Sequence, residues 1–206
     1  MDVTWTAVIL AGGQSRRLGG RNKATLPLNG ASVLDLQLAQ LRRVIGRTLI
    51  IANDTVAYAT SGVPVVPDML PGGGALGALY TAVRTAATDR TLVVACDMPF
   101  LSEPLLAYLV EAGRTADVVI PRTARGYEPL CATYSRQSAV ELLRLVEDKR
   151  FTLSEVARIP GLIIREIGRD ELEPFGPEEV LFFNINTPDD LARAIDIDGA
   201  YRSLIG

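Results

Sequence analysis

The sequence predicts an α/β fold of three layers, with helices on both faces of a mostly parallel sheet, and three observations carry that prediction. Apolar runs of strand length, rich in β-branched residues, recur at residues 3–10, 47–52 and 91–96. Segments of helix length with apolar positions three and four apart lie between them. Each strand-like run stops at a glycine-rich or polar tip: Ala11-Gly12-Gly13 after Leu10, then Asn53-Asp54, then Asp97-Met98-Pro99. In open α/β sheets ligands bind in the crevice beyond the carboxyl ends of the strands, so these tips are where function is expected.

Composition narrows the class. The 206-residue chain is 48% hydrophobic and 22% charged, which suits one globular domain over residues 1–206 with a sizeable core. A net charge of -3 and a pI near 5.1 argue against a general nucleic-acid binder. No apolar run approaches the roughly 18 residues of a membrane span, and Met1-Asp2-Val3 does not begin a signal peptide, so the expected location is cytoplasmic with no membrane partner. Cys96 and Cys131 match no metal-ligand spacing and read as buried, reduced thiols. The absence of histidine excludes His-based triads and His-ligated metals and directs attention to carboxylates, lysine and arginine.

In chain order, the first strand is followed by four glycines, Gly12, Gly13, Gly19 and Gly20, and four cations, Arg16, Arg17, Arg21 and Lys23. Glycines let successive backbone N–H groups approach an anion and the cations neutralise it, which makes a polyphosphate the natural guest. The spacing is not that of a P-loop, since Gly20-Arg21-Asn22-Lys23-Ala24 lacks the Gly-Lys-Ser/Thr end. Residues 26–30 read as a turn or edge hairpin, and Ser32 caps a helix over 33–45 with an apolar face of Leu34, Leu38, Leu41 and Ile45. Asn53 at the second strand's tip is either a loop residue or a nucleotide contact. Residues 63–67 form a short extended piece, and a glycine-rich loop over 68–77 leads into a helix ending near residue 85. Gly72-x-Gly74-x-x-Gly77 matches a dinucleotide fingerprint with Asp97 downstream, but that fingerprint belongs directly after the first strand, which here has its own loop. A nicotinamide dehydrogenase is therefore set aside.

The continuous apolar run at 91–96 needs cover on both faces, as in a parallel sheet, and it delivers Asp97. A carboxylate at that tip suits magnesium, which takes one or two carboxylates plus substrate phosphates; the plain alternative is a turn aspartate before Pro99. Ser102 caps a helix over 103–112, residues 117–121 form a strand, and 122–128 make a polar connection to 129–134. Residues 138–148 form an amphipathic helix, and 149–178 yield no chemistry. Residues 180–183 read as a last strand whose tip carries Asn184 and Asn186 on the same side of an extended segment. Thr187, Pro188 and the following acids make a well-formed helix start.

The stretch Leu10-Ala-Gly-Gly-Gln-Ser-Arg-Arg-Leu-Gly-Gly-Arg-Asn-Lys23 resembles the L-A-G-G-x-S-x-R-M-G-x-x-K signature of the molybdenum cofactor guanylyltransferases, the MobA-like nucleotidyltransferases, with Leu18 for the frequent Met and Asn22 for the frequent Asp. Three further segments resemble that family: Asp68 to Gly77 its D-x-x-P-G-x-G-P-L-G, with Ala75 for proline; Cys96 to Pro99 its C-D-x-P; and Asn184 to Leu191 its N-x-N-T-P-x-D-L. The resemblance implies a Rossmann-like sheet of the nucleotide-diphospho-sugar transferase type. It implies transfer of GMP from Mg-GTP to the phosphate of molybdopterin, with release of pyrophosphate. On that reading Leu10, Ala11, Gly12, Gly13, Lys23, Asn53, Asp68, Gly74 and Asp97 bind the nucleotide, the glycines of 72–77 letting a base or ribose lie against backbone. Arg17 and Lys23 carry charge developing on the phosphates, Asp97 holds Mg2+, and Asn184 and Asn186 meet the metal or the second substrate. Glu128-Pro129-Leu130 faces that substrate, and Arg122 and Arg125 are candidates to hold its phosphate. No activated Ser or Cys nucleophile is evident, so direct displacement is expected. GTP and molybdopterin are the implied partners, with molybdoenzyme apo-proteins or other cofactor-pathway proteins as candidate protein partners. Ala11-Gly12-Gly13 favours the guanylyl branch over cytidylyl relatives, which tend to read Ala-Ala-Gly. Two alternatives stay open: a cytidylyl or sugar-phosphate nucleotidyltransferase of the same fold, and a non-catalytic nucleotide-binding adaptor.

Overall fold

The computed structural model describes residues 4–12, 23–28, 30–150 and 152–205, with side chains through residue 200. The first strand, β1 (Trp5–Leu10), is followed by a small hairpin of β2 (Pro27–Leu28) and β3 (Ala31–Ser32) and by helix α1 (Val33–Val44). Ser32 and Asp35 form a reciprocal capping box at the start of α1, which is why the helix begins where the sequence predicts. Next come β4 (Thr48–Ile51), the two-residue β5 (Val65–Val66), α2 (Gly74–Thr85), β6 (Arg90–Ala95) and α3 (Glu103–Ala112). The second half holds β7 (Val118–Thr123), β8 (Gly126–Tyr127), β9 (Cys131–Ser135), α4 (Ser138–Glu147) and β10 (Ile164–Ile167). Two short helices, α5 (Arg169–Leu172) and α6 (Glu178–Leu181), lead to α7 (Pro188–Ile205).

The main sheet runs in the order β10-β7-β9-β6-β1-β4-β5, with β8 paired to β7. β1 lies parallel between β4 and β6, β5 extends the parallel set beyond β4, and β10 is parallel to β7. β9 is antiparallel to both of its neighbours, so the sheet is mixed but mostly parallel, as expected. Alternation along β1 sends Ala7 and Ile9 to one face, packed with Leu34, Leu38 and Leu41 of α1 and Leu105 and Leu109 of α3. Val8 and Leu10 go to the other, with Leu76, Leu79 and Val83 of α2 and Leu142 of α4. These two faces give the three layers. Among the described residues, no helix is long and apolar enough to cross a membrane.

One expected strand is absent. Residues 178–181 form α6, and the apolar residues after it plug the fold instead of pairing with the sheet. Phe182 is fully buried in the core that holds Leu105 and Leu109 of α3 and Leu172 of α5, while Phe183 and Ile185 join Leu26 and Leu28 at the hairpin, Val33 of α1 and Ala194 of α7 in a separate small core. A short apolar run cannot by itself distinguish a buried strand from a plug, and only the long-range packing separates them. The segment that yielded no chemistry supplies the sheet's edge strand β10 and a 3₁₀ turn, Leu153–Arg158, packed on the α2–α4 face through Val156.

Candidate active site

The tips of β1, β4 and β6 open into a cleft of about 760 Å³, within the range of ligand sites. Leu10, Ala11, Gly12, Lys23, Asn53, Asp68, Gly74, Asp97, Asn184 and Asn186 all line it. The structure thus brings together ten sequence-predicted positions drawn from six separate segments of the chain. Gly13 and Arg17, together with the other glycines and arginines of 13–22, lie outside the described residues.

Lys23 is the centre of the polar part. It opens a 3₁₀ turn, Lys23–Thr25, anchored by the fully buried Ala24. Its ammonium donates to Asp97 Oδ2 at 3.1 Å and to Asn186 Oδ1 at 2.5 Å. The Lys23 and Asp97 side chains are 16% and 18% exposed, open enough to exchange partners yet shielded enough for their charges to matter. Asp97 is carried on the turn after β6, where the Cys96 N–H donates to Leu10 O at 3.0 Å and ties two strand tips together. The asparagine segment is fastened to the same turn: the Ile185 N–H donates to Asp97 O at 2.9 Å. Asn184 Nδ2 donates to Phe182 O at 3.0 Å, while Asn186 is pinned by its own N–H on Asp190 Oδ2 at 3.0 Å. That Asp190 carboxylate also receives the Thr187 N–H, and Thr187 Oγ1 accepts from the Asp190 N–H, a reciprocal cap on α7. Burial alone would raise the Asp190 carboxyl, but these donors and the Arg193 charge outweigh it and hold it below its usual range.

On the β4–β5 side the loop tips are cross-tied. Asn53 Oδ1 accepts the Asp68 N–H at 3.0 Å, and Asp68 Oδ1 accepts the Leu70 N–H at 3.0 Å and the buried Thr81 hydroxyl at 2.7 Å. Asp68 Oδ2 takes none of these bonds. The glycines here serve the chain first: a Cβ at Gly73 or Gly77 would stand 3.1 Å from Leu70 O, so both are small to let the turn close on α2. The expected approach of a base or ribose to backbone rests instead on Gly72 and Gly74, which line the cleft with open space above them.

Across the cleft stand Tyr127, Glu128, Pro129, Leu130, Leu153 and Ser154. Burial raises the Glu128 carboxyl, with the Arg125 guanidinium at 3.8 Å and the Thr123 hydroxyl opposing it. Arg122 and Arg125, read as candidate phosphate holders, are otherwise engaged. Arg122 pairs with Glu166 at 3.3 Å and lies over the Tyr127 ring, and Arg125 donates to Phe182 O at 2.7 Å. Tyr127, Leu153 and Ser154 were not anticipated. Leu153 and Ser154 carry no local signal, reaching the cleft only because their turn packs on the sheet, whereas Tyr127 adjoins the expected Glu128.

Burial, then the adjacent Asp97 charge, push the Cys96 thiol up to about 12, and burial raises Cys131 too, so neither offers a thiolate nucleophile near neutral pH. Among the described residues no group of three or more Asp, Glu, Cys or His side chains forms a metal cage. Asp97, at the strand tip beside Lys23, suits a cation that brings its other oxygen ligands with the substrate.

A cleft at the strand tips of a mostly parallel α/β sheet, with a lysine, an aspartate and asparagines converging in it, is the place where such folds bind ligands, and the family of the chain makes its class that of the nucleotidyltransferases. The chain belongs to the MobA-like NTP transferase domain family, whose model matches residues 7–158. It is 35% identical over 191 residues to the "Probable molybdenum cofactor guanylyltransferase" of Pelotomaculum thermopropionicum, covering 92% of this chain and 91% of that protein. It is 32% identical to the molybdenum cofactor guanylyltransferase of Desulfosudis oleivorans, covering 92% and 93% of the two chains. The crystal structure of molybdopterin-guanine dinucleotide biosynthesis protein A from Archaeoglobus fulgidus superposes with a TM-score of 0.78 at 28% identity, over 95% of this chain and 99% of that one.

Proposed function

We propose that this enzyme transfers GMP from GTP to the phosphate of molybdopterin in the cytoplasm, releasing pyrophosphate and forming the guanine dinucleotide cofactor. The observation that carries this reading is the Lys23 ammonium bonded at once to Asp97 and Asn186 inside the cleft. That arrangement joins a cation for phosphate, a carboxylate for a hard metal and an amide from the far end of the chain. The relatives' printed activities supply the base and the acceptor.

In the reaction an oxygen of the acceptor phosphate attacks the α-phosphorus of GTP. The new P–O bond forms as the bond to the bridging oxygen breaks, and that oxygen leaves with pyrophosphate. A phosphate monoester is already ionised near neutral pH, so no side chain need remove a proton. Transfer of this kind runs on positioning and charge stabilisation. Magnesium held by Asp97 and by the nucleotide's phosphates supplies charge neutralisation when bound. Lys23 exchanges its hold on Asp97 for the triphosphate, Arg17 adds a second cation, and Leu10, Ala11, Gly12 and Gly13 are the remaining nucleotide-binding positions of that motif. Asn53, Asp68 and Gly74 receive the nucleoside, Asp68 through the oxygen not used in closing its own loop. Asn184 and Asn186 face the acceptor or the metal.

The test is pyrophosphate release from the purified protein with Mg2+, each NTP separately, with and without molybdopterin. Release with GTP that requires molybdopterin is expected. Release only with CTP, or only with a sugar phosphate, would move the function to a sister activity of the fold, and binding without release would leave an adaptor.

A further inference from the structure

The Asp97 turn is held from beneath by a side chain that lies outside every motif. Gln37 sits on the buried face of α1 among Val33, Leu34, Leu38 and Leu41 and is 4% exposed. An aliphatic residue would ordinarily fill that position of the helical repeat. Instead, Gln37 Nε2 donates to Ala95 O at 2.7 Å and to Met98 O at 2.9 Å. These carbonyls flank Asp97, one two residues before it and one immediately after, so a single carboxamide spans the turn that aims the carboxylate. Both partners are acceptors, which settles that the nitrogen end faces them. The turn's own closing bond, from the Met98 N–H to Ala95 O, is long at 3.4 Å. Gln37 Oε1 has no hydrogen-bond partner among the described residues, so what the amide contributes in this core is its two donors.

We propose that Gln37 is a positioning residue for nucleotidyl transfer, holding the turn of residues 95–98 so that the Asp97 carboxylate faces the cleft beside Lys23. It never touches substrate. The inference rests on the reading of Asp97 as the metal-holding carboxylate. Without the amide, the Met98 carbonyl loses its buried donor and the turn rotates to find another, carrying Asp97 with it. A displacement of about 1 Å at such a group is enough for a large loss of rate.

Gln37→Met keeps length and volume and removes both donors. Gln37→Asn keeps the amide but shortens its reach. Gln40→Met, about one turn further along α1, where Gln37 and Gln40 both border a small void, changes the packing there without touching the turn's carbonyls. Three quantities are read: hydrogen exchange at the Ile185 amide, which donates to Asp97 O, the Mg2+ concentration giving half-maximal rate, and kcat against KM for GTP. In Gln37→Met, Ile185 exchange should quicken about ten-fold. The half-saturating Mg2+ concentration should rise and kcat fall by about ten- to a hundred-fold, with KM for GTP within about two-fold of wild type. Gln37→Asn should move the same way by less, and Gln40→Met should change none of the three. Unchanged Ile185 exchange and metal dependence in Gln37→Met, or equal changes in Gln40→Met, would overturn the proposal. Failure of wild-type protein to turn over GTP would refute the proposed function instead, while Ile185 exchange would still decide for or against Gln37.

Discussion

Asp97 follows β6 and Asp117 precedes β7, two strands that run the same way on either side of the antiparallel β9, so the two carboxylates stand at opposite edges of the sheet, both withdrawn from bulk water, and their surroundings differ in kind. Asp97 faces the cleft, and among described side chains its charge partner is Lys23, a flexible ammonium that can leave. Asp117, only 5% exposed, is held by donors fixed in the fold, the Ile163 N–H at 2.9 Å and the buried Ser135 hydroxyl at 2.8 Å, with the Gln137 amide added from the surface. Burial would raise the Asp117 carboxyl, yet these donors and the nearby Arg90 charge together hold it below its usual range. A carboxylate with fixed donors is a fastener; one with an exchangeable partner on an open cleft is available for chemistry. Substitutions at the two positions should therefore separate activity from stability.

The largest effect is expected at the cleft. Asp97→Asn should lower kcat by about a thousand-fold and alter unfolding free energy by about 1 kcal/mol or less, measured by pyrophosphate release and denaturant unfolding on the same preparation. Lys23→Met should cost about a hundred-fold in kcat/KM for GTP while leaving the fold intact. Asp117→Asn should reverse the pattern, losing about 2 to 4 kcal/mol of stability with kcat of the folded fraction unchanged.

The same comparison sharpens with pH. Because the folded Asp117 carboxyl is depressed, its contribution is fully present above the unfolded value of about 3.9 and is lost as pH falls through the lower folded value. The stability gap between wild type and Asp117→Asn should therefore be constant near neutrality and narrow in acid; a gap that stays constant down to about pH 2 would contradict this role. The smallest effect is expected from Arg122→Ala, since the Arg122–Glu166 pair is exposed: less than about 0.5 kcal/mol in stability and no change in KM for the acceptor. A large rise in that KM would show that Arg122 does reach the acceptor's phosphate.

Much of the molecule was legible along the chain because its signals are local. Strand periodicity, the Ser32–Asp35 and Thr187–Asp190 caps and the glycine turns each need only a few neighbouring residues to be recognised. The cleft positions were legible because most occupy tips of strands, or turns beside them, that end at one edge of the sheet. What was misread depended on distant packing. Residues 180–183 read as a strand because apolarity reports burial without saying whether a sheet or a plug provides it. Arg122 and Arg125 are a different case, candidates for an acceptor phosphate whose partners Glu166 and Phe182 O lie about 40 to 60 residues away and come into view only in the fold.

The amino-acid sequence alone determined the alternation of strands and helices, the family motifs and the choice of Lys23, Asp97, Asn184 and Asn186 as site candidates, since periodicity and motif spacing are properties of short windows. Tertiary structure alone decided that β9 runs antiparallel, that Leu153 and Ser154 border the cleft, and that a core glutamine on α1 braces the Asp97 turn. Each of these depends on which surfaces meet when the chain closes on itself, and a buried donor finds its carbonyl only after that closure.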